Sequence, residues 1–419
     1  MRRARRIAAL LTCGALGAAL ALGAGCARTP KKTAIVFWQS RPAAVLAPLL
    51  RRFEAEHPGF VVELRQLTPE QLRDSLAGAL TSGNVPDLFE CPSPLLPSLV
   101  AGAVLADWSA GVADLRDSVR GWEQCSRGET IYGLPWVIEP RVLFFNRSLL
   151  ARAGLDGARA PETWDDLARD AAAIERLARR AHLRDVHGLG FAAAGSGGQF
   201  DDFMPLAWGR GGGILSTDLD SSLFDSPENR AALVYYLSLR KSVASESPDD
   251  LERDFAAGRL GLLCADGALA TRLPARGFEL GVARIPRWAG EGGRHAAVAR
   301  GGVLASFRGS REKEAALRLA RFLLAPECAE AIASADALPA RIEADSVMAA
   351  RGNPIVRALL RPLEDVRFPP NHAEWDSMRL AIEDGLALAW RDSLAPPESA
   401  AARASAAVDR RLAQLLGGH

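Results

Sequence analysis

Tyr132-Gly133-Leu134-Pro135-Trp136 and Val142-Leu143-Phe144-Phe145-Asn146-Arg147-Ser148-Leu149-Leu150 carry most of the architectural information in this 419-residue chain. Ala153-Gly154-Leu155-Asp156 and Pro161-Glu162-Thr163-Trp164-Asp165-Asp166-Leu167 follow closely. The last is a helix start, with Thr163 placed to cap the free N–H groups of the first turn. The whole stretch sits about a third of the way along the chain.

Upstream, strand and helix alternate. Ala34-Ile35-Val36-Phe37-Trp38 reads as a short strand, and Gln39 and Ser40 end it. Val45, Leu46, Leu49, Leu50 and Phe53 then recur at helical period until Pro58-Gly59. Phe60 to Leu64 is the next strand. Thr68-Pro69-Glu70-Gln71 opens a helix, with Thr68 as cap, Pro69 in the first turn and Gln71 three residues on; Gly83 closes it. Pro86 to Glu90 reads as a further strand. This alternation predicts an α/β fold with a parallel sheet covered on both faces.

The N-terminus reads as a targeting segment over residues 1–26. Arg2, Arg3, Arg5 and Arg6 precede an apolar run from Ile7 to Leu22, then Gly23-Ala24-Gly25-Cys26. The run is short and rich in Ala and Gly, against the roughly 20 apolar residues a spanning helix needs. Cys26 resembles a bacterial lipoprotein acceptor, although Gly23 stands where such signals usually carry Leu; lipidation and plain cleavage are the two outcomes. Without the four leader arginines, 47 basic residues face 50 acidic ones, a net charge of −3. No basic patch points to nucleic acid. Cys91, Cys125, Cys264 and Cys328 fit no zinc spacing, and their pairing is open. The His residues are scattered, so neither metal nor cofactor is expected.

Taken in order, these pieces resemble the extracellular solute-binding proteins of the family that includes the maltodextrin binders. The resemblance rests on the strand ending in Trp38, Ser82-Gly83-Asn84-Val85-Pro86-Asp87, and Gly102 to Trp108. It continues through Tyr132 to Leu167, Asp254 to Leu262, Gly301-Gly302-Val303-Leu304-Ala305-Ser306, Leu338-Pro339-Ala340-Arg341, and Pro369 through Trp375 to Leu416. It implies a two-lobed periplasmic-binding-protein fold of type II, with the ligand in a cleft between lobes and hinge strands crossing near Val137–Val142, Ala296–Gly301 and Leu338–Ile342. The first lobe would be 33–138 plus 300–338, and the second 142–296 plus 342–416. The implied function is capture of a carbohydrate by hinge closure, outside the cytoplasm, and its delivery to an ABC permease. The protein is expected to be a monomer, tethered through Cys26 to a membrane face.

Open α/β sheets bind ligands beyond the carboxyl ends of their strands. That rule selects Trp38, Gln39, Ser40, Asp87 and Glu90. Trp136 and Glu139 lie at the crossing, and Gly301 and Gly302 at the return crossing, where a missing side chain would let a ligand approach the backbone. Sugars stack on aromatic rings and bond to planar polar groups, and the resemblance implies that Trp208, Asp266, Arg341 and Trp375 complete the site. Arg141, like Arg341, reads either as ligand-binding or as a partner for a hinge carboxylate. The sugar binders commonly carry Trp after the strand that ends at Asp266; here Ala268 stands instead, which weakens maltodextrin as the ligand. The alternatives are a sugar phosphate or glycerol-phosphate ester, a sensor that reports to a receptor, and an exported glycoside hydrolase using Glu90, Glu139 or Asp266. A hydrolase needs two carboxylates roughly 5–9 Å apart, and nothing in the sequence marks a catalytic acid.

Overall fold

The computed structural model describes residues 32–273, 279–332, 337–351 and 354–417. The leader and Cys26 lie outside the described residues. No helix among the described residues is long and apolar enough to cross a membrane.

The chain begins with β1 (Thr33–Gln39), α1 (Ala43–Glu56), β2 (Phe60–Gln66), α2 (Pro69–Ser82) and β3 (Leu88–Pro92). Ile35 and Phe37 of β1 are fully buried against Leu46, Leu50 and Phe53 of α1, as period-2 and period-3.6 spacing require. In α2, Thr68 Oγ1 accepts from Gln71 N while Gln71 Oε1 accepts from Thr68 N, and Gly83 ends the helix at φ 72°. Strands β2 and β3 flank β1, both parallel to it.

The long strand β4 (Leu134–Asn146) changes partner midway. Residues 134–140 pair antiparallel with β9 (Ala297–Ala305), and residues 141–145 pair antiparallel with β7 (Leu260–Asp266). Between these in sequence come α3 (Trp164–Arg180), β5 (His187–Ala192), α4 (Gln199–Gly209), α5 (Pro227–Ser238), β6 (Ala244–Glu246), α6 (Pro248–Ala256) and β8 (Leu280–Ala283). The chain closes with α7 (Lys313–Leu323), β10 (Leu338–Pro339), β11 (Val366–Arg367), α8 (Trp375–Arg391) and α9 (Pro397–Leu416). The eleven-stranded sheet runs β2-β1-β3-β9-β4-β7-β5-β6, with β8 and β10 also on β4 and β11 on β9.

The sheet is therefore mixed, not parallel. Strand β9 returns from the far half of the chain and inserts antiparallel between β3 and β4, a long-range pairing that local alternation of strand and helix does not reveal. Two hydrophobic cores result. One packs α1, α2 and α7 against β1, β3 and β9 and continues under β4 to Leu251, Phe255 and Leu263. The other gathers Leu143, Phe145, Trp164, Phe200, Trp208, Tyr236, Trp375 and Trp390 from the far half.

Candidate functional site

The partner switch in β4 falls at Glu139-Pro140-Arg141. Alternation along a strand puts Glu139 and Arg141 on one face, and each is tied to a different half of the sheet. On the first half, Arg41 follows β1 and donates from Nε to Glu90 Oε1 at 3.0 Å and from Nη2 to Glu139 Oε1 at 2.9 Å. Ser40 donates its backbone N–H and its Oγ–H to Glu90 Oε2, both at 2.8 Å. Burial works against the Arg41 charge, but the two carboxylates outweigh it and its pKa is raised.

On the second half, Arg141 faces three carboxylates. Its Nη2 donates to Asp202 Oδ1 at 3.1 Å and to the carbonyl of Cys264 at 2.5 Å. Asp266, its register partner on β7, lies at 3.7 Å, and Asp201 at 3.9 Å. Arg300 on β9, register partner of Glu139, completes the ring by bonding to Asp201 and lying 3.3 Å from Asp266. Asp202 Oδ2 also accepts from Ala192 N at 2.7 Å. Burial pushes the Asp202 carboxyl up to about 7 although Arg141 opposes the shift. Burial likewise opposes the Arg300 charge, and Asp201 and Asp266 outweigh it.

These groups line a cavity of about 630 Å³ whose wall also includes Ser196–Gly198, the start of α6 and the side chains of Arg272 and Arg379. Sequence makes the turn: Gly197 and Gly198 take φ of 76° and 91°, which a residue with a side chain adopts only with strain. Directly after it α4 begins, and Asp201 and Asp202 occupy its first turn. Glu383 of α8 reaches across, accepting from Gly198 N and Phe200 N at 3.1 Å each. The wall is polar and charged, with Leu251, Leu263 and Ala265 as its apolar part. Among the described residues no aromatic ring lines it.

Of the residues expected at the ligand site, Asp266 lines this cavity, as does Arg141, whose sequence reading leaves ligand and hinge roles open. Glu139 stands next to it on β4, its side chain 34% exposed. Ser40 and Glu90 are committed to the knot at Arg41. Asp87 ties strands together, accepting from Val36 N at 3.0 Å and Ser310 Oγ at 2.7 Å. Gln39 is fully buried and both its amide atoms are without a partner among the described residues. The four tryptophans are buried. Trp38 lies under the Arg65 guanidinium at 4.8 Å, and Trp136 packs beside Phe37. Trp208 and Trp375 both meet Phe200 edge-on within the second core, with ring centroids 6.4 and 5.5 Å away.

Gly301 and Gly302 are explained by the protein itself: a Cβ at Gly301 would sit 2.1 Å from Val137 O, and one at Gly302 2.7 Å from Glu90 Oε1. The close approach is strand on strand. Arg341 pairs with Glu343 two residues on, Nε to Oε2 at 2.7 Å. The residues that sequence reading passed over are Arg300, Asp201, Asp202, Arg272 and Arg379. Two had a usable signal: Asp201-Asp202 opens a helix straight after a glycine turn, and Arg300 precedes the Gly301-Gly302 pair.

Cys91, Cys125, Cys264 and Cys328 are all free thiols and buried. Among the described residues no group of three or more His, Cys, Asp or Glu is arranged to hold a metal ion.

Residues 38–330 match the family model of the bacterial extracellular solute-binding proteins. A Brucella abortus (strain 2308) protein named as a binding protein is 25% identical over 350 residues, covering 78% of this chain and 80% of its own. In fold, the chain is similar to the cyclic alpha-maltosyl-1,6-maltose binding protein of Arthrobacter globiformis, with TM-score 0.79 and 20% identity over 91% of this chain and 100% of that one. It is also similar to a Mycobacterium tuberculosis protein solved with glycerophosphocholine, with TM-score 0.73 and 20% identity over 92% and 98% of the two chains. The architecture is thus that of the two-lobed type II binding proteins.

Proposed function

The chain belongs to the bacterial extracellular solute-binding proteins, and we propose that it captures a carbohydrate in the cavity beside the β4 partner switch and delivers it to an ABC permease. The observation that carries this reading is the position and chemistry of that cavity. It opens where β4 leaves one half of the sheet for the other, and both crossing strands contribute to its wall through Arg141 and Arg300. Planar carboxylates and guanidinia set side by side there suit hydroxyl groups, which both donate and accept.

The lobes proposed are 33–138 plus 300–338 and 142–296 plus 342–416. Closure of one on the other would bend the chain where β4, β9 and β10 run together, and would expel water from the cavity. The protein is proposed to act as a monomer, with Cys26 as its lipid attachment, and as a binder without turnover. Support for binding comes from Asp202: its carboxyl titrates near neutrality, as a catalytic acid would, yet both its oxygens are held, by Arg141 and by Ala192 N.

A phosphate ester is the second reading, because four arginines stand on the cavity wall. Thermal-shift screening of the mature protein separates the two. A carbohydrate ligand raises the melting temperature with the logarithm of its concentration over Kd. A shift by glycerol 3-phosphate or glucose 6-phosphate and by no sugar would refute the carbohydrate reading.

A further inference from the structure

Resting on that reading, we infer that the cavity selects an uncharged or cationic polyhydroxyl ligand, a neutral oligosaccharide or an amino sugar, and rejects phosphate esters. The four arginines of the wall look like an anion site until their partners are followed. Arg141 and Arg300 are shared among Asp201, Asp202 and Asp266. Arg272 donates to Glu252 at 2.6 Å, and Arg379 lies 3.8 Å from Glu383. Among the described residues, five carboxylates line the cavity, those of Asp201, Asp202, Asp249, Asp266 and Glu252, against the four guanidinia. Even with Asp202 only partly ionised near neutral pH, the described wall carries no excess of positive charge, and an incoming phosphate would compete with the carboxylates already paired to Arg141, Arg272 and Arg300.

The other device for holding an anion, a helix N-terminus with free N–H groups, is also taken. The start of α4 faces the cavity, but Glu383 accepts from its Gly198 and Phe200 N–H groups, and Asp201 and Asp202 fill its first turn. The start of α6 is capped by Ser247 and carries Asp249 and Asp250 in its first turn. Both ends present oxygen acceptors to the cavity where a phosphate site would present donors.

Among the unmet groups of the wall acceptors outnumber donors: Arg141 Nε is a buried donor without a partner among the described residues, and the other unmet groups are carboxylate oxygens. Asp201, only 6% exposed, keeps its Oδ1 buried with no partner among the described residues, a state that burial makes costly. Asp266 is reachable at 39% side-chain exposure, and the Asp249 carboxylate has no bonded partner among the described residues. Sugar hydroxyls, or an ammonium group, supply such donors.

Isothermal titration of the mature protein tests this. The panel is maltotriose, trehalose, chitosan disaccharide, glucose 6-phosphate, trehalose 6-phosphate and glycerol 3-phosphate. The tightest ligand should be one of the first three, with each phosphate ester at least tenfold weaker. Asp266→Asn should weaken that ligand about tenfold or more with little change in melting temperature, and Asp249→Asn/Asp266→Asn should narrow the gap to the esters. If a phosphate ester binds tightest and Arg300→Gln removes its binding, the ligand class is overturned while the cavity stands as the binding site. If Ser196→Trp, which places a bulky ring in the cavity from an exposed turn, leaves the tightest ligand unaffected, the cavity itself is the wrong site and both readings fall.

Discussion

Replacing Arg141 by Gln removes the one guanidinium that faces Asp202. At 3.1 Å and an effective dielectric constant of about 20, their attraction is about 5 kcal/mol before desolvation is counted. The loss on substitution is smaller, because the stranded carboxyl has an escape. Burial already pushes Asp202 up to about 7 with Arg141 present, so near neutral pH the carboxyl can take up a proton at little cost. What is lost is then the bonding of the guanidinium to Asp202 and to the Cys264 carbonyl, at roughly 1.5–3 kcal/mol for a charge-assisted bond. The expected destabilisation at pH 7.5 is about 3 kcal/mol, the low end of what breaking a buried pair costs.

The pH dependence is the sharper signature. Above pH 7 wild-type Asp202 is ionised in both folded and unfolded chains and adds no slope. In the variant the folded carboxyl keeps its proton while the unfolded one, near its ordinary 3.9, has released it. The folded state then binds one more proton, so stability falls by about 1.4 kcal/mol per pH unit. Between pH 4 and 7 both proteins hold the proton when folded, and the penalty stays constant. Urea denaturation from pH 5 to 9 measures this, and Arg141→Gln/Asp202→Asn should remove the growth above pH 7. A penalty that is flat across the range, or unchanged in the double variant, would refute the coupling of Arg141 to Asp202.

Gly301→Ala should cost about 3 kcal/mol or more by urea denaturation, because its Cβ would lie 2.1 Å from the Val137 carbonyl and force β4 and β9 apart. Thr163→Ala removes the acceptor for Asp166 N at 3.1 Å and with it the capping box of α3; chemical denaturation should register a loss of about 1 kcal/mol. The four thiols should resist Ellman's reagent at pH 8 until denaturant is added, since burial pushes Cys264 up to about 12 and Cys328 up to about 11 and holds Cys91 and Cys125 higher still. Rapid reaction of any of them in the native protein would contradict their burial.

Local elements were legible in the sequence because their signals are local. Thr68 with Gln71 and Gly83 bound α2, and Thr163 begins α3, since a cap satisfies N–H groups within one turn of itself. The two-lobed architecture came from the order of motifs around Tyr132 to Leu167 and not from any one of them. The sheet's mixed direction was hidden because β9 pairs with β3 and β4 across some 160 to 210 residues of sequence. The charged ring was hidden for the same reason: Arg141, Asp201, Asp202, Asp266 and Arg300 converge from four strands and helices. Tryptophan was misleading for another reason. A Trp at a strand end or helix start reads alike whether it faces a ligand or a core, and for Trp208 and Trp375 the deciding neighbour is Phe200.

The most direct test is a crystal structure of the mature protein with whichever panel sugar raises the melting temperature most. Ligand density within hydrogen-bond distance of Asp266 and Arg300, beside the Ser196–Gly198 turn, is the predicted result. Density in any other cavity, with the ring of Arg141, Asp202 and Arg300 untouched, would contradict it.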